Sequence, residues 1–337
     1  MKSTYKKEDV EILLDDLTGK IKELTNKEKN ELIYTGKNPN TLLLKEYEMS
    51  ETYLKLCKNL GKKYIKQTAI AVGKLAEQLY KYKSKNVVLV SIVRSGIPIG
   101  ILVKRYLQNK YKKQFYHYAI SIKAGIDKNA MNYILSKHKV EDIQFVDSWT
   151  GKGTVMNTII NSAKQFEGLD SSLAVLSDCL NITKYCGIRE DIAIMQAPIN
   201  ACITGLVSMP VKQTNPEKFD GGIYLDYLEK FDISKEYVDL IENEFDYNCN
   251  ANDYTENLEI HEEASKMVNI YNTDISKVNP GINEAARAIL RRKVSVLLVK
   301  DREDIQVGEI IELANLKNIK IEEYNFKYYK AATIAEE

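Results

Sequence analysis

Two short segments carry residue types at spacings that suit phosphate chemistry. The first is Ile143-Gln144-Phe145-Val146-Asp147-Ser148-Trp149-Thr150-Gly151-Lys152-Gly153-Thr154. An apolar run ends in an acid, passes through a glycine-rich turn and opens into the helix-like run 155–166. The unpaired N–H groups and partial positive charge of a helix start attract anions. Gly151 and Gly153 let the backbone approach closely, Thr150 and Thr154 add hydroxyl donors, and Lys152 adds a charge. Asp147, at the strand end, suits ribose hydroxyls or a metal ion. An ordinary strand–helix turn carries the same pattern. The second segment runs Asn86 to Ile92 and then Val93-Arg94-Ser95-Gly96. Its unbroken apolar stretch is that of a central parallel strand buried on both faces. Arg94 with the small Ser95 and Gly96 forms a second anion-binding turn. Ligands of open α/β sheets gather at the C-terminal strand ends. Two such turns therefore suit a ligand with phosphates at both ends of a ribose, of which phosphoribosyl pyrophosphate is one.

The elements that position these turns follow from periodicity. Strands are expected at 86–92, 115–122, 143–147, 172–177, 191–195 and 202–207, alternating with helical runs, which implies a mostly parallel sheet. Residues 45–83 read as long helices. Residues 1–41 read as a helical extension, because Val10, Leu13, Leu14 and Leu17 recur at helical spacing. Residues 236–263 hold ten acids and no Lys or Arg. The expected division is a helical extension 1–41, an α/β domain 42–235, an acidic linker 236–275 and a C-terminal module 276–337. The linker's acids suit either a solvated connector or an acidic lid over a basic surface.

Composition excludes several classes. A 44% hydrophobic and 28% charged chain of 337 residues reads as globular. No apolar run reaches membrane-spanning length, and the start Met1 to Lys7 lacks a signal-peptide core, so a cytoplasmic protein without a membrane partner is expected. Net charge of +1 carries no nucleic-acid signal by itself. The five cysteines are scattered, with no Cys-x-x-Cys pair. His117, His138 and His261 lack zinc-ligand spacing, and no Walker-type loop exists.

From about Leu42 to Gln213 the chain resembles the phosphoribosyltransferase-like proteins encoded in bacterial tellurite-resistance and stress clusters, a family also labelled cysteine protease StiP. The matching stretches are Val90 to Gly100, His117 to Ile122, Gly125-Ile126-Asp127, Phe145 to Gly153, Arg189-Glu190-Asp191 and Thr204 to Ser208. The resemblance implies a type I phosphoribosyltransferase-like α/β fold with flanking helices. It implies that the 150–154 turn holds a 5-phosphate and the 94–96 turn a pyrophosphate, with Mg²⁺ and ribose at Asp147. This chain departs from the wider pattern in having Ser148 where a second acid is usual, and Ala124 before Gly-Ile-Asp where an Arg is common.

The C-terminal stretch Pro280-Gly281-Ile282-Asn283-Glu284-Ala285-Ala286-Arg287 opens a helix, followed by a Val294–Val299 strand, a second helix from Ile305 and a strand at 319–321. It resembles the Pelota and kink-turn-binding RNA-binding family. That resemblance implies that Asn283 and Glu284 read base edges of structured RNA and that Arg287 meets its backbone. Helix capping by Asn283 and Glu284 is the alternative.

Weaker signals remain open. Arg189 and Asp191 suit a base contact or a surface ion pair. Asp127 suits a loop over the site or a turn, and Asp178 a metal-water contact or a helix cap. Cys179, Cys186 and Cys202 read as buried hydrophobes; nothing near them marks an activated thiol. The expected activity is Mg-assisted phosphoribosyl transfer from phosphoribosyl pyrophosphate or another ribose phosphate to a base or RNA-linked acceptor. The rivals are a nucleotide- or ribose-phosphate-sensing RNA-binding protein without turnover, and a cysteine protease. A homodimer is compatible with any of these.

Overall fold

The computed structural model describes residues 1–46, 50–251 and 259–336. In chain order the main elements are β1 Glu11–Ile12, α1 Asn26–Tyr34, α2 Glu51–Tyr82, β2 Val88–Ile92, α3 Gly96–Tyr111, β3 Tyr116–Ile120, α4 Lys128–Leu135, β4 Ile143–Trp149, α5 Thr154–Ala163, β5 Leu173–Ser177 and β6 Tyr185–Ile188. These are followed by α6 Gln196–Ile199, α7 Ser234–Glu242, α8 Glu259–Ile270, β7 Val278–Pro280, α9 Ile282–Arg291, β8 Val294–Val299, α10 Gly308–Leu316, β9 Lys320–Glu323 and β10 Ala331–Ala335.

The first sheet has the order β1-β3-β2-β4-β5-β6, and every pairing in it is parallel. Both faces are covered. Leu89 packs with α2 and α3, while its neighbours Val88 and Val90 join Ala130, Met131, Ile159 and Ala163 of α4 and α5 on the other face. The two-residue alternation of a strand explains why 87–90 is apolar on both faces, with Ser91 the buried polar exception. From β2 the chain steps to one side for β3 and to the other for β4. That reversal creates a crevice at the C-terminal ends of β2 and β4.

The C-terminal sheet has the order β7-β10-β8-β9. One face packs on α8 through Ala264, Met267, Val278, Leu298, Phe326 and Tyr329. On the other side, α9 and α10 (Ala285, Ala286, Ile289, Ile310 and Leu313) join the core of the first sheet. The two regions thus share one continuous apolar interior.

Several sequence expectations are corrected. The Val10–Leu17 stretch is not a helix: Glu11–Ile12 pairs with β3, and Asp15–Asp16 pairs with Gly221–Gly222. Its 3–4 spacing arises because a bent extended segment buries Val10, Leu13 and Leu14 around a sheet edge. The α-helix of that extension is Asn26–Tyr34, with a 3-10 turn following at Pro39–Thr41. Residues 191–195 are no strand, and 202–207 is a 3-10 turn and an isolated bridge at Val207. The last strand of the sheet is instead Tyr185–Ile188. Within the expected linker 236–275, most of α7 packs on α3 and all of α8 on the C-terminal sheet. Residues 252–258 of that segment, with part of its expected boundary, lie outside the described residues. No helix of the described residues is long and apolar enough to cross a membrane.

Candidate functional site at the sheet crevice

The crevice brings together the two turns singled out by composition. The turn after β2 holds a cis peptide between Val93 and Arg94. Gly96 starts α3 against β4 so closely that a Cβ there would lie 2.4 Å from the Val146 carbonyl oxygen. Ser95 Oγ donates to Asp147 Oδ1 at 2.5 Å, and the Ser148 N–H donates to the same oxygen at 2.7 Å. Asp147 is 5% exposed. Burial lifts its carboxyl to about 6, against the lowering effect of those two bonds and of Arg287, while Glu284 adds to the rise.

The Ser95–Gly96 turn is held from below. Ser91 Oγ donates to the Gly96 carbonyl at 2.8 Å and lies 2.7 Å from His117 Nε2, while His117 Nδ1 meets the Asp9 carbonyl at 3.0 Å. Burial depresses the His117 pKa to about 3, so the ring is neutral. With the proton on Nδ1, it donates to Asp9, and its Nε2 and the Gly96 carbonyl share the single Ser91 hydroxyl proton. His117 is therefore a positioning residue that the search for metal spacing passed over.

Arg94 is 2% exposed. One Nη bonds Glu46 Oε2 at 2.6 Å and the other the Val207 carbonyl at 3.4 Å, while Nε is buried with no hydrogen-bond partner among the described residues. The Ser148 hydroxyl is likewise buried and unpartnered. Glu46 had no signal in the sequence; its role follows only from tertiary contact.

The 150–154 turn meets the C-terminal region. Thr150 is buried and Thr154 exposed, and Gly153 begins α5 at φ 79°. Glu284 lies over Gly151, where a Cβ would fall 2.4 Å from its Cδ, and accepts from Trp149 Nε1 at 2.8 Å. Lys152 Nζ donates to the Ser276 carbonyl at 2.6 Å. Arg287 stands 3.7 Å from Glu284 and its side chain is 44% exposed. Asn283, by contrast, is buried: its amide donates to the Ile192 carbonyl at 2.8 Å and accepts from the Ile194 N–H at 3.0 Å. Neither Asn283 nor Glu284 caps its own helix.

The remaining candidates do not join the crevice. Asp191 accepts from Ile282 N at 3.0 Å and Lys330 N at 2.9 Å, fastening the start of α9 to the first region. Asp127 caps α4 through Asn129 N and Ala130 N and accepts from Asp220 N at 2.5 Å. Asp178 accepts from Ile182 N and Thr183 N and pairs with Arg189. Burial raises the pKa of all three acids.

Among the described residues, no thiol carries a lowered pKa. Cys179, Cys186 and Cys202 are buried, and burial pushes the last two up to about 12 and Cys179 well above its usual value. His117 is committed as described, and His138 Nε2 pairs with Tyr118 Oη at 2.9 Å. Among the described residues no group of three or more His, Cys, Asp or Glu is placed to hold a metal. Magnesium needs only one or two carboxylates when phosphates supply its other ligands, so Asp147 fits an ion that arrives with a diphosphate.

Fold and crevice define a doubly wound α/β protein with its ligand edge walled by a second α/β region. Residues 3–242 match the family model described as tellurite-like stress resistance cysteine protease StiP, and the chain belongs to that family. Residues 258–337 match the Pelota RNA binding domain. A relative described as cysteine protease StiP, from Acinetobacter baylyi, is 28% identical over 304 residues, which is 82% of this chain and 79% of that protein. No solved structure matches.

Proposed function

We propose that the protein is a phosphoribosyltransferase-like enzyme that binds a ribose phosphate in this crevice. One observation carries the reading: the sheet's reversal point brings the Arg94–Gly96 and Thr150–Thr154 turns side by side, joined by the Ser95–Asp147 hydrogen bond. Asp147 holds the ribose hydroxyls. Thr150, Gly151, Lys152, Gly153 and Thr154 hold the 5-phosphate at the start of α5. Arg94, Ser95 and Gly96 hold the pyrophosphate. A base nitrogen attacks carbon 1 of the ribose, the bond to pyrophosphate breaks with its electron pair leaving on oxygen, and the configuration inverts. Asp147 would hold a Mg²⁺ ion that arrives with a diphosphate, and such an ion would neutralise charge on the leaving group. The protein's own contribution is positioning and electrostatic stabilisation. Structured RNA, met by Arg287 of the C-terminal region, supplies or localises the acceptor.

Calorimetric titration with phosphoribosyl pyrophosphate, with and without Mg²⁺, followed by assay of released pyrophosphate with free bases or a hairpin RNA as acceptor, tests this. Saturable binding with turnover is expected. Binding without turnover would favour the sensing role, which the single acid before Ser148 supports. No binding would overturn both.

The second reading is the cysteine protease of the family's description. A protease needs a thiolate beside a histidine, and the buried thiols with raised pKa oppose it. Peptide hydrolysis lost on Cys179→Ser, Cys186→Ser or Cys202→Ser, in a folded variant, would reverse this preference.

A further inference from the structure

Glu284 reaches from the first turn of α9 over the turn that precedes α5. A Cβ added to Gly151 would fall 2.4 Å from its Cδ and 2.6 Å from its Oε1, so the carboxylate fills the space directly above that glycine. Oε1 also accepts from Trp149 Nε1 at 2.8 Å, and the side chain is 14% exposed. This is the ground on which the Thr150–Thr154 turn would meet a phosphate. Two like charges a few ångströms apart in a half-enclosed crevice exclude one another. Asp147 already feels this carboxylate: burial raises its pKa first, and Glu284 adds to the rise.

Helix α9 cannot back away to relieve the conflict. Asp191 accepts from Ile282 N, and the Asn283 amide bonds the Ile192 carbonyl and the Ile194 N–H. Ile282, Ala285 and Ala286 lie in the shared apolar core. The moving part is therefore the Glu284 side chain, which turns about its own bonds while the helix stays. Arg287, 3.7 Å away on the same helix face, is within reach of the displaced carboxylate.

We propose that Glu284 is a gate on the Thr150–Thr154 turn: its carboxylate holds the place of a phosphate until a phosphorylated ligand displaces it. The inference rests on the ribose-phosphate reading of the crevice and gives that site a regulation set by the C-terminal region. With the gate shut, the seat is filled and the Trp149 N–H is satisfied. Only molecules with Glu284 swung out are competent, so apparent affinity falls by that fraction. A bare phosphate makes few contacts to hold the gate open; a ribose phosphate adds its hydroxyls to Asp147. The chain has a single tryptophan, and its indole N–H anchors the gate, so opening is visible in its fluorescence.

The test is titration of the full chain with ribose 5-phosphate and with inorganic phosphate, followed by calorimetry and by tryptophan fluorescence. Glu284→Gln keeps the shape and an acceptor for Trp149 but removes the charge; Glu284→Ala removes all three. Ribose 5-phosphate should bind about tenfold more tightly to Glu284→Ala, as relief of a like-charge contact allows, with Glu284→Gln between it and the wild type. Inorganic phosphate should bind measurably only to the variants. In the wild type the fluorescence change should follow the calorimetric curve; in Glu284→Ala it should be absent. Thermal midpoints report folding. Wild type and folded variants binding ribose 5-phosphate equally, or the variants more weakly, would overturn the gate and leave the ribose-phosphate reading standing. Binding by the variants alone would support both. No binding by any of the three would remove the reading and the gate with it.

Discussion

Helices α5 and α9 both begin at a glycine in the left-handed region, Gly153 at φ 79° and Gly281 at φ 86°. Neither is capped by a side chain of its own N-cap residue. Composition marks both as ligand-binding starts, one for phosphate and one for RNA. Their surroundings differ. The α9 start is filled by the Asp191 carboxylate, brought from the first region to the Ile282 N–H. The α5 start keeps Thr154 exposed, and among the described residues no carboxylate bonds its N–H groups, although Glu284 lies over Gly151 just before it. A glycine-initiated helix is an anion socket by default; whether a ligand can use it depends on whether the fold supplies its own carboxylate first.

The sharpest way to break this comparison is to remove the internal anion. Asp191→Ala strips acceptors from two buried N–H groups and from a helix dipole, and should cost about 3–4 kcal/mol of stability. Chemical denaturation reads it directly. A loss below about 1 kcal/mol would mean that α9 is not held by charge.

Exchanging the two glycines sharpens the contrast. Gly281→Val meets both the left-handed backbone penalty and Cys179 Sγ, which would lie 2.9 Å from the new Cβ. Gly153→Val meets the backbone penalty alone, about 1–2 kcal/mol, because its nearest neighbour is Ile182 at 3.5 Å. The first should be the less stable protein. The second should remain folded and lose ribose 5-phosphate binding. Retained binding in folded Gly153→Val would remove the phosphate role from α5.

The smallest effect concerns Asp147. Its carboxyl titrates near 6 in the folded chain, against roughly 3.9 when exposed. The folded state holds the proton more tightly, so this group's contribution is present at low pH and is lost as pH rises from about 4 through 6. Asp147→Asn keeps an oxygen for Ser95 and Ser148. It should therefore melt above the wild type at pH 7, by less at pH 4, while binding ribose 5-phosphate more weakly. Wild-type binding should itself weaken as pH falls through 6. Calorimetric melting at the two pH values decides; an equal gain at both would exclude the titration as its source.

The parallel sheet was legible because burial on both faces demands apolar runs such as Val87–Val90, and the strand-end turns were legible because glycine, hydroxyl and acid cluster there. Ile192-Ala193-Ile194 carried the same apolar signal yet is no strand. Its N–H groups go to side-chain amides, Ala193 to Gln306 and Ile194 to Asn283, and no local pattern announces a partner so distant in sequence. Asn283 hides its contacts for the matching reason: residue type shows that a helix start offers an amide, but not that Ile192 and Ile194 meet it. β10, Ala331–Ala335, gives a weak strand signal because three of its five residues are alanine. Glu46 became visible only beside Arg94.

The Ile192–Ile194 segment also sets an order of events during synthesis. Its side-chain partners are encoded 89 to 113 residues downstream. At translation rates of about 5–20 residues per second, they emerge several seconds after it does. Through that interval an apolar, unpaired edge is available to any passing strand. A nascent chain stalled before Pro280 keeps that edge open, so a truncated product of this protein is an aggregation hazard rather than a smaller working domain.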